Sequence, residues 1–420
     1  MKLNKSKTIL LFLVITGISL FIRFWHYPEL VNFHGDPPFY LHEVKDMLDS
    51  GKIRLVGPIV MSKMIQGRGF YTGPLHYYIV ALLGLATDWN VIQMTVFFTL
   101  LWITFLVLMF FWLKNKFGNL IALVVYAFVS FLPVFIPLSR TMWNPHFMPL
   151  FGLLFLWALD KRRKRPVYYL LSGFFLGLGV NVHYASVLWL LVVFWVIYLE
   201  LKKKEFLFKH WLFFSLGVLL AESPLVLFEF RHNFYNLRTL IFQLKYGELS
   251  AGYTFALPYY FLFPAIPVAG FLLGFFLQKL KSSKFLMPTV ILLGFASLWF
   301  LRVDLGVYGR KPAYPVGWNL TRQKEVISLI IKDNEKEFEV AETINSDTRA
   351  SEIRWWLRRA GIGVMGIADY NKAPVLYLVA PESRPAEKEE VWEVFSMRPF
   401  RIEFKKDLGD NLFLYKLVRI

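Results

Sequence analysis

The apolar residues of this 420-residue chain come in repeated runs, most of them near the length that crosses a lipid bilayer. Hydrophobic residues make up 56% of the sequence, and the mean hydropathy is +0.46. Short clusters of Lys and Arg separate the runs, which is the arrangement that orients helices in a membrane. The sequence therefore predicts a polytopic membrane protein.

Charge and cysteine content exclude several other classes of protein. The formal net charge is +17, but the basic residues lie between apolar runs, where membrane orientation accounts for them, so we expect no nucleic-acid partner. The chain contains no cysteine. Disulfides, thiolate metal sites and thiol redox chemistry are therefore excluded.

The basic clusters determine the predicted topology, because clusters in short loops belong in the cytoplasm. These clusters are Lys114 with Lys116, Lys161 to Arg165, Lys202 to Lys204 with Lys209, and Lys279 with Lys281 and Lys284. The predicted spans are residues 8–25, 90–113, 120–138, 147–160, 166–182, 185–200, 211–228, 255–278 and 285–301. Nine crossings in the plasma membrane place the N-terminus in the cytoplasm and the C-terminus outside. Residues 73–88 are predicted to lie at the outer interface, since a crossing there would invert every later loop.

The last part of the chain changes character, with charges interspersed and no run long enough to span. Residues 323–334 and 351–360 are predicted to be helices, and residues 338–344, 375–380 and 412–418 strands. The predicted fold is an all-α membrane bundle over residues 1–301 and a small extracytoplasmic α/β domain over residues 302–420. Within the bundle, residues 26–89 form a long first outer loop with interface helices.

Polar residues that could carry chemistry fall on one side of the membrane in this topology. They are Asp36, Glu43 and Arg68 in the first outer loop, the segment from Ser139 and Arg140 through Trp143 and Asn144 to His146, the pair His183 and Tyr184, and Glu229 to Asn233. A carboxylate can accept a proton from a hydroxyl, and arginines can hold phosphate oxygens bidentately. The set predicts a site for a lipid-phosphate leaving group at the outer face.

Each residue also has an interpretation that needs no ligand. Asp36 precedes two prolines and can cap a helix start. Arg140 can extend to lipid headgroups, and His183 can be a packing histidine. Glu229 and Arg231 can form an ordinary surface ion pair. The aromatic residues Tyr40, Trp143 and Tyr184 are of the kind found in interface belts.

No motif in the sequence indicates a metal or another cofactor. The histidines lack the close spacing of metal ligands. Phosphate-binding glycine loops, nucleophile elbows and zinc-helix patterns are also missing from the sequence. We therefore predict no cofactor, although a divalent cation remains open.

Several segments, in this order along the chain, resemble a known family. They are His34-Gly35-Asp36 with Tyr40-Leu41, Gly73-Pro74-Leu75-His76-Tyr77-Tyr78, Ser139-Arg140 to Trp143-Asn144-Pro145, Val182-His183-Tyr184, and Phe228-Glu229-Phe230-Arg231-His232. The family is that of the polytopic C-type glycosyltransferases, similar to protein O-mannosyltransferases and lipid A aminoarabinose transferases. The resemblance extends over roughly residues 8–300.

The resemblance implies a long first outer loop and transfer of a sugar from a polyprenyl-phosphate donor. It assigns the first-loop acidic residue of the family to Asp36. Some relatives have a lysine just before the Pro-Leu pair, where this chain has Thr72-Gly73, and some have an aspartate in place of Asn144. The expected phosphate ligands are therefore Arg140 and Arg231, with Arg68 or Lys63 as substitutes, and Glu43 is a candidate helper for Asp36.

The sequence thus predicts an inverting glycosyltransferase of the cell envelope that acts on an acceptor hydroxyl outside the cytoplasm. Asp36 is the predicted base, and Arg140, Arg231 and Arg68 are the predicted donor-phosphate ligands. The predicted substrate-binding residues are Tyr40, Glu43, His76, Trp143, Asn144, His183, Tyr184, Glu229 and His232. The expected partners are the polyprenyl-phosphate sugar, membrane lipids, and an acceptor that is a glycan, a lipid or a protein. The alternative is a transporter or flippase for a lipid-linked sugar.

Overall fold

The computed structural model describes residues 4–65, 68–132, 134–246, 261–280, 317–344 and 347–420. The chain forms two compact units. The first comprises residues 1–21, 44–135 and 143–299, and the second comprises residues 22–43, 136–142 and 300–420. The predicted boundary between residues 301 and 302, and the predicted span 285–301, lie outside the described residues.

The N-terminal two thirds of the described chain is helical apart from one hairpin. The helices are α1 (Lys5–Phe24), α2 (Tyr27–Leu30), α3 (Asp36–Asp49), α4 (Leu75–Ala86), α5 (Val91–Phe117), α6 (Asn119–Ser130), α7 (Phe135–Leu138), α8 (Phe147–Lys161), α9 (Val167–Val182), α10 (Leu190–Lys202), α11 (Phe208–Ala221), α12 (Ser223–Arg231), α13 (Tyr235–Tyr246) and α14 (Leu262–Leu280). The hairpin consists of the antiparallel strands β1 (Ile59–Ile65) and β2 (Arg68–Tyr71). Short 3₁₀ helices cover Asn144–His146 and Tyr184–Trp189.

Four of the described helical segments are long and apolar enough to cross a membrane: α1, α5, the segment Tyr184–Lys202 and α14. A fifth crossing is obtained if α11 and α12, which meet at a bend of 70°, form one broken span. The 12-residue helix α4 is about 18 Å long at 1.5 Å per residue, well below the ~30 Å of the hydrocarbon core. The described residues are those of a membrane protein, and the number of nine crossings stays a prediction.

Close packing of helices in the first unit depends on small residues. A Cβ added to Gly173 of α9 would lie 1.9 Å from the carbonyl oxygen of Phe214 in α11. A Cβ added to Gly217 of α11 would in turn lie 2.1 Å from the carbonyl oxygen of Leu170. Helices approach this closely in membranes where glycine removes the side chain from the contact.

The second unit contains a four-stranded mixed sheet in the order β3-β4-β6-β5. Its elements are α15 (Leu320–Asp333), β3 (Phe338–Glu342), α16 (Ser351–Arg359), β4 (Val375–Pro381), a 3₁₀ turn at Ala386–Lys388, α17 (Trp392–Phe395), β5 (Phe400–Gly409) and β6 (Leu412–Arg419). Strand β3 pairs in parallel with β4, whereas β6 pairs antiparallel with both β4 and β5.

Apolar side chains cover both faces of this sheet. One face packs Val340, Tyr377 and Leu414 against residues of α15 and α16. The other packs Leu376, Leu378 and neighbouring residues into a second core. Burial on both faces explains why β4 is a continuous apolar run and not an alternating one. The predicted α/β character of the C-terminal part is therefore found, with one further strand, β5.

Candidate active site

The predicted catalytic residue, Asp36, is the first residue of the 14-residue helix α3. Gly35 precedes it with φ of 69°, a conformation that glycine adopts without strain. Pro37 and Pro38 follow in the first turn, where a missing backbone N–H costs nothing. The Asp36 side chain is exposed. This position leaves the carboxylate accessible to a substrate, and the choice between a capping and a catalytic role stays a prediction.

Arg140 belongs to the same compact unit as Asp36. The backbone N–H of Asn32, four residues before Asp36, donates to the carbonyl of Arg140 at 3.0 Å. Asn32 and Thr141 also form a bridge between the two segments. Arg140 is only 7% exposed, which does not fit an arginine extended toward lipid headgroups. The structure thus joins the predicted arginine segment to the predicted first outer loop.

A second arginine near Asp36 was not predicted from the sequence. Arg349 donates to both carboxylate oxygens of Asp347, at 2.8 and 2.7 Å. Its guanidinium lies 5.4 Å from the ring centre of Phe39 in α3. The hydrogen bonds to Asp347, with a smaller contribution from the charge of Asp36, raise the pKa of Arg349. Only the fold brings this C-terminal residue close to the first outer loop, so no local motif marks it.

The residues just before Asp36 contact the C-terminal part of the same unit. His34 Nδ1 lies 2.6 Å from Glu352 Oε1 and 3.6 Å from Glu342 Oε1. Burial alone would lower the pKa of His34, but the negative charge of Glu352 raises it. Gln323 also donates to the carbonyl of Phe33 at 2.8 Å. These contacts hold the start of α3 in place.

In the first unit, Asn181 organises the beginning of α4. Its backbone carbonyl accepts a hydrogen bond from Gly73 N–H at 2.8 Å, and its Oδ1 accepts one from Leu75 N–H at 3.1 Å. Its Nδ2 donates to Glu222 Oε2 at 3.2 Å. A Cβ on Gly73 would lie 2.0 Å from Asn181 Nδ2. Glycine at this position therefore leaves room for the Asn181 side chain.

Glu229, a predicted substrate ligand, caps the N-terminus of α13. Its two carboxylate oxygens accept hydrogen bonds from the N–H groups of Asn236 and Leu237, at 3.0 and 3.2 Å. These are N–H groups in the first turn of α13, which have no partner within the helix. The Asn236 side chain in turn bonds to Tyr71 N–H and to its carbonyl, at 2.9 and 3.0 Å.

Three more predicted ligands have hydrogen bonds to the backbone in the first unit. Tyr184 donates from its hydroxyl to the carbonyl of Tyr71. Asn144 donates to the carbonyl of Val182 at 2.6 Å, which satisfies a group at the end of α9. His183 Nδ1 accepts from Ala185 N–H at 3.1 Å. Whether these three residues also contact a substrate stays a prediction.

The remaining predicted residues differ in exposure. His76 and Tyr40 are buried, and His76 has ring contacts with Phe98 and Phe147. Glu43 and Trp143 are half-buried, and Arg231 and His232 are exposed. Arg68 begins β2, while the side chains of Arg68 and Lys63 lie outside the described part of the structure. Which of these residues contact a substrate stays a prediction.

No protein-family model and no curated protein matches this sequence. Two solved structures match it along almost the whole chain, and both are of ArnT from Cupriavidus metallidurans. The apo structure has a TM-score of 0.55, and the structure bound to undecaprenyl phosphate has one of 0.57. In both cases the identity is 11%, and the match covers 96% of this chain and 97% of the other.

The chain has the fold of ArnT. This finding confirms the resemblance to the lipid A aminoarabinose transferases that the order of the sequence segments predicted. The likeness includes the C-terminal part, beyond the residues over which the sequence segments resemble the family. At 11% identity it establishes the architecture and leaves the role of each side chain to be tested.

Proposed function

We propose that this protein is an inverting glycosyltransferase that transfers a sugar from a polyprenyl-phosphate donor to an acceptor hydroxyl on the extracytoplasmic side of the membrane. The observation that carries the proposal is the fold likeness over 96% of the chain to ArnT, which has been solved with undecaprenyl phosphate bound. A polyprenyl tail keeps its phosphate at the bilayer, since each buried methylene contributes about 0.8 kcal/mol. A membrane-embedded enzyme is what such a donor requires.

In the proposed reaction, the acceptor oxygen attacks the anomeric carbon of the donor sugar. The bond from this carbon to the phosphate oxygen breaks, and polyprenyl phosphate leaves with the bonding electrons. The proton of the acceptor hydroxyl passes to Asp36. The exposed position of Asp36 supports this role, because its carboxylate is accessible to a substrate and an ionised carboxylate can accept a proton.

Arginines would stabilise the phosphate that departs. Arg140 is supported by its link to the first outer loop through Asn32, and Arg349 by its electrostatic interaction with Asp36. Arg231, which is exposed, stays a prediction from the sequence. Guanidinium groups bind phosphate oxygens bidentately and keep their charge at all relevant pH values. The leaving group is a phosphate ester with no need for thiol or redox chemistry.

The test uses the full-length protein purified in detergent, with donor substrates that carry a radiolabelled sugar on undecaprenyl phosphate. Mannose and 4-amino-4-deoxyarabinose are the first sugars to try, with membranes of the source organism as the acceptor. Transfer of label to an acceptor, with release of undecaprenyl phosphate, is the expected result. Movement of intact donor between leaflets of proteoliposomes, without transfer, would support the flippase instead.

Replacing Asp36 by Asn should reduce the rate of transfer by about 10²- to 10⁴-fold, which is the usual contribution of a positioned base. Binding of undecaprenyl phosphate should be unchanged. Asp46→Asn is the matched control, since Asp46 is an exposed acid of the same helix. Wild-type turnover in the Asp36 variant would remove this residue from the mechanism.

A further inference from the structure

Three buried side chains with metal-binding chemistry meet beside the start of α3. They are His34 from the first outer loop, Glu342 at the end of β3, and Glu352 in the first turn of α16. One donor atom from each lies within 4.8 Å of the other two. The three residues are 6%, 1% and 1% exposed. No local sequence pattern marks this cluster, because its members are far apart along the chain.

The cluster contains two acidic side chains and only one that can carry a positive charge. With a protonated His34 and two ionised carboxylates, the three residues carry a net charge of −1 at a buried position, and a charge is costly to bury. The neighbouring Asp347 does not alter this count, since Arg349 binds it bidentately. Glu352 Oε2 is buried and receives no N–H or hydroxyl donor from the described residues. A divalent cation with a neutral imidazole and two carboxylates would make the cluster neutral.

We propose that His34, Glu342 and Glu352 form a binding site for a divalent transition-metal ion that fastens the first outer loop to the C-terminal part of its unit. The ligand atoms are His34 Nδ1 and one oxygen from each carboxylate. A nitrogen with two oxygens suits Zn²⁺ or Mn²⁺, whereas Mg²⁺ and Ca²⁺ prefer oxygen ligands alone. Water would complete the coordination.

The distances need little change to admit such an ion. Tetrahedral Zn²⁺ with bonds of 2.0–2.2 Å places its ligand atoms about 3.4 Å apart. His34 Nδ1 and Glu342 Oε1 are already 3.6 Å apart. The distance of 2.6 Å between His34 Nδ1 and Glu352 Oε1 must lengthen as the Nδ1 proton is released to solvent. Trp318 Nε1–H donates to Glu352 Oε1 at 2.7 Å and would orient this ligand, as outer hydrogen bonds do in metal sites.

A proton shared between Glu342 and Glu352 is the competing way to balance the charge. Glu342 lies close enough to Glu352 for a hydrogen bond between the carboxyl groups, and this bond lowers the pKa of Glu352 less than His34 does. Both arrangements keep the cluster intact. They differ in whether the protein holds an ion.

The experiment measures metal binding by the full-length protein in detergent, without a polyhistidine tag. The protein is treated with a chelator, dialysed against micromolar Zn²⁺ or Mn²⁺, and analysed by inductively coupled plasma mass spectrometry. We expect about one ion per chain for the wild type, as for a single three-ligand site. Glu342→Gln should weaken binding about 100-fold or more, since even outer-sphere changes cost 10- to 100-fold.

Glu390→Gln is the matched control, because Glu390 is an exposed acid of the same domain and should leave the ion in place. If the Glu342→Gln protein does not fold, His34→Gln is used instead to remove one of the three ligands. A wild-type protein that binds no ion, or an equal amount of ion in all variants, would overturn the proposal. The metal-binding measurement needs neither sugar donor nor acceptor. A protein that binds no metal would therefore leave the proposed glycosyl transfer unaffected, and a protein without transfer activity would leave the proposed metal site unaffected.

Discussion

At the scale of single residues, Asn181 shows how one side chain can define the entrance to a helix. Its oxygens accept from the backbone of Gly73 and Leu75, and its amide reaches Glu222. The helix α4 carries the Pro-Leu-His-Tyr-Tyr segment on which the family resemblance depends. The sequence did not mark Asn181 as important, because an asparagine two residues before His183 has no distinctive pattern.

Gly73 and Asn181 should therefore behave as a coupled pair. Gly73→Ala should lower the free energy of unfolding by about 1–3 kcal/mol, because the new methyl group overlaps Asn181. Asn181→Ala should cost a similar amount, about 1–3 kcal/mol, through lost hydrogen bonds. In the Asn181→Ala background, however, Gly73→Ala should cost clearly less.

Thermal unfolding of the four proteins in detergent completes this double-mutant cycle. Strict additivity of the two changes would contradict the contact between the two residues. Gly363→Ala is the matched control, because Gly363 also lacks a positive φ and an added Cβ there meets nothing within 4 Å.

At the scale of elements, the pairing of α9 with α11 depends on backbone contact. Gly173→Ala should lower the free energy of unfolding by about 1–3 kcal/mol, because the methyl group would collide with the backbone of Phe214 and separate the helices. The control is Gly17→Ala in α1, where an added Cβ meets nothing within 4 Å. This change should be neutral or stabilise by up to about 1 kcal/mol, as Ala favours helix. Equal melting temperatures for both variants in detergent would contradict the close approach.

The contact between α15 and β6 should make stability depend on pH. Lys416 Nζ lies 2.6 Å from Asp333 Oδ2, and Tyr377 also donates to this carboxylate. Burial alone would raise the pKa of Asp333, but these hydrogen bonds outweigh it and lower the pKa. A lowered pKa in the folded state gives stability that is present above the ordinary pKa of 3.8 and is lost as the pH falls below it.

Asp333→Asn should thus lower the free energy of unfolding by about 1 kcal/mol at neutral pH. The difference from the wild type should shrink as the pH falls through the range below 3.8. Glu387→Gln, at an exposed position, should have no such effect. Denaturant titrations at several pH values measure the free energy of unfolding of the wild type and both variants. A difference between the wild type and Asp333→Asn that grows in acid would contradict a lowered pKa of Asp333.

The elements also show what a sequence can and cannot predict. Strands β3, β4 and β6 were found because burial on both faces makes them apolar, and α15 and α16 because their apolar residues are periodic. Strand β5 was missed because it is an edge strand, with exposed charges at Arg401, Lys405 and Lys406. Charge patterns predict on which side of the membrane the candidate site lies, and this sidedness stays a prediction. Sequence patterns do not predict the roles of Arg349 and of the Glu342–Glu352 pair, since only the tertiary fold brings these residues to the predicted first outer loop.

At the scale of the whole molecule, the absence of cysteine makes the predicted topology directly testable. The exposed residues Lys164 and Lys388 fall on opposite sides of the membrane in the prediction. In intact cells, a membrane-impermeant maleimide should label Lys388→Cys, and it should label Lys164→Cys only after permeabilisation. The physical reason is that the basic cluster around Lys164 resists translocation. Labelling of Lys164→Cys from outside would invert the predicted orientation.

The bond between His34 and Glu352 joins positions 318 residues apart. Ribosomes add about 5–20 residues per second, so Glu352 is synthesised roughly a quarter of a minute to a minute after His34. Until then, the contacts of Phe33 and His34 with the C-terminal part are missing, whereas those of Asn32 with Arg140 and Thr141 can already form. If Asp36 is the base, as proposed, nascent chains and truncated products that lack the C-terminal part should be inactive.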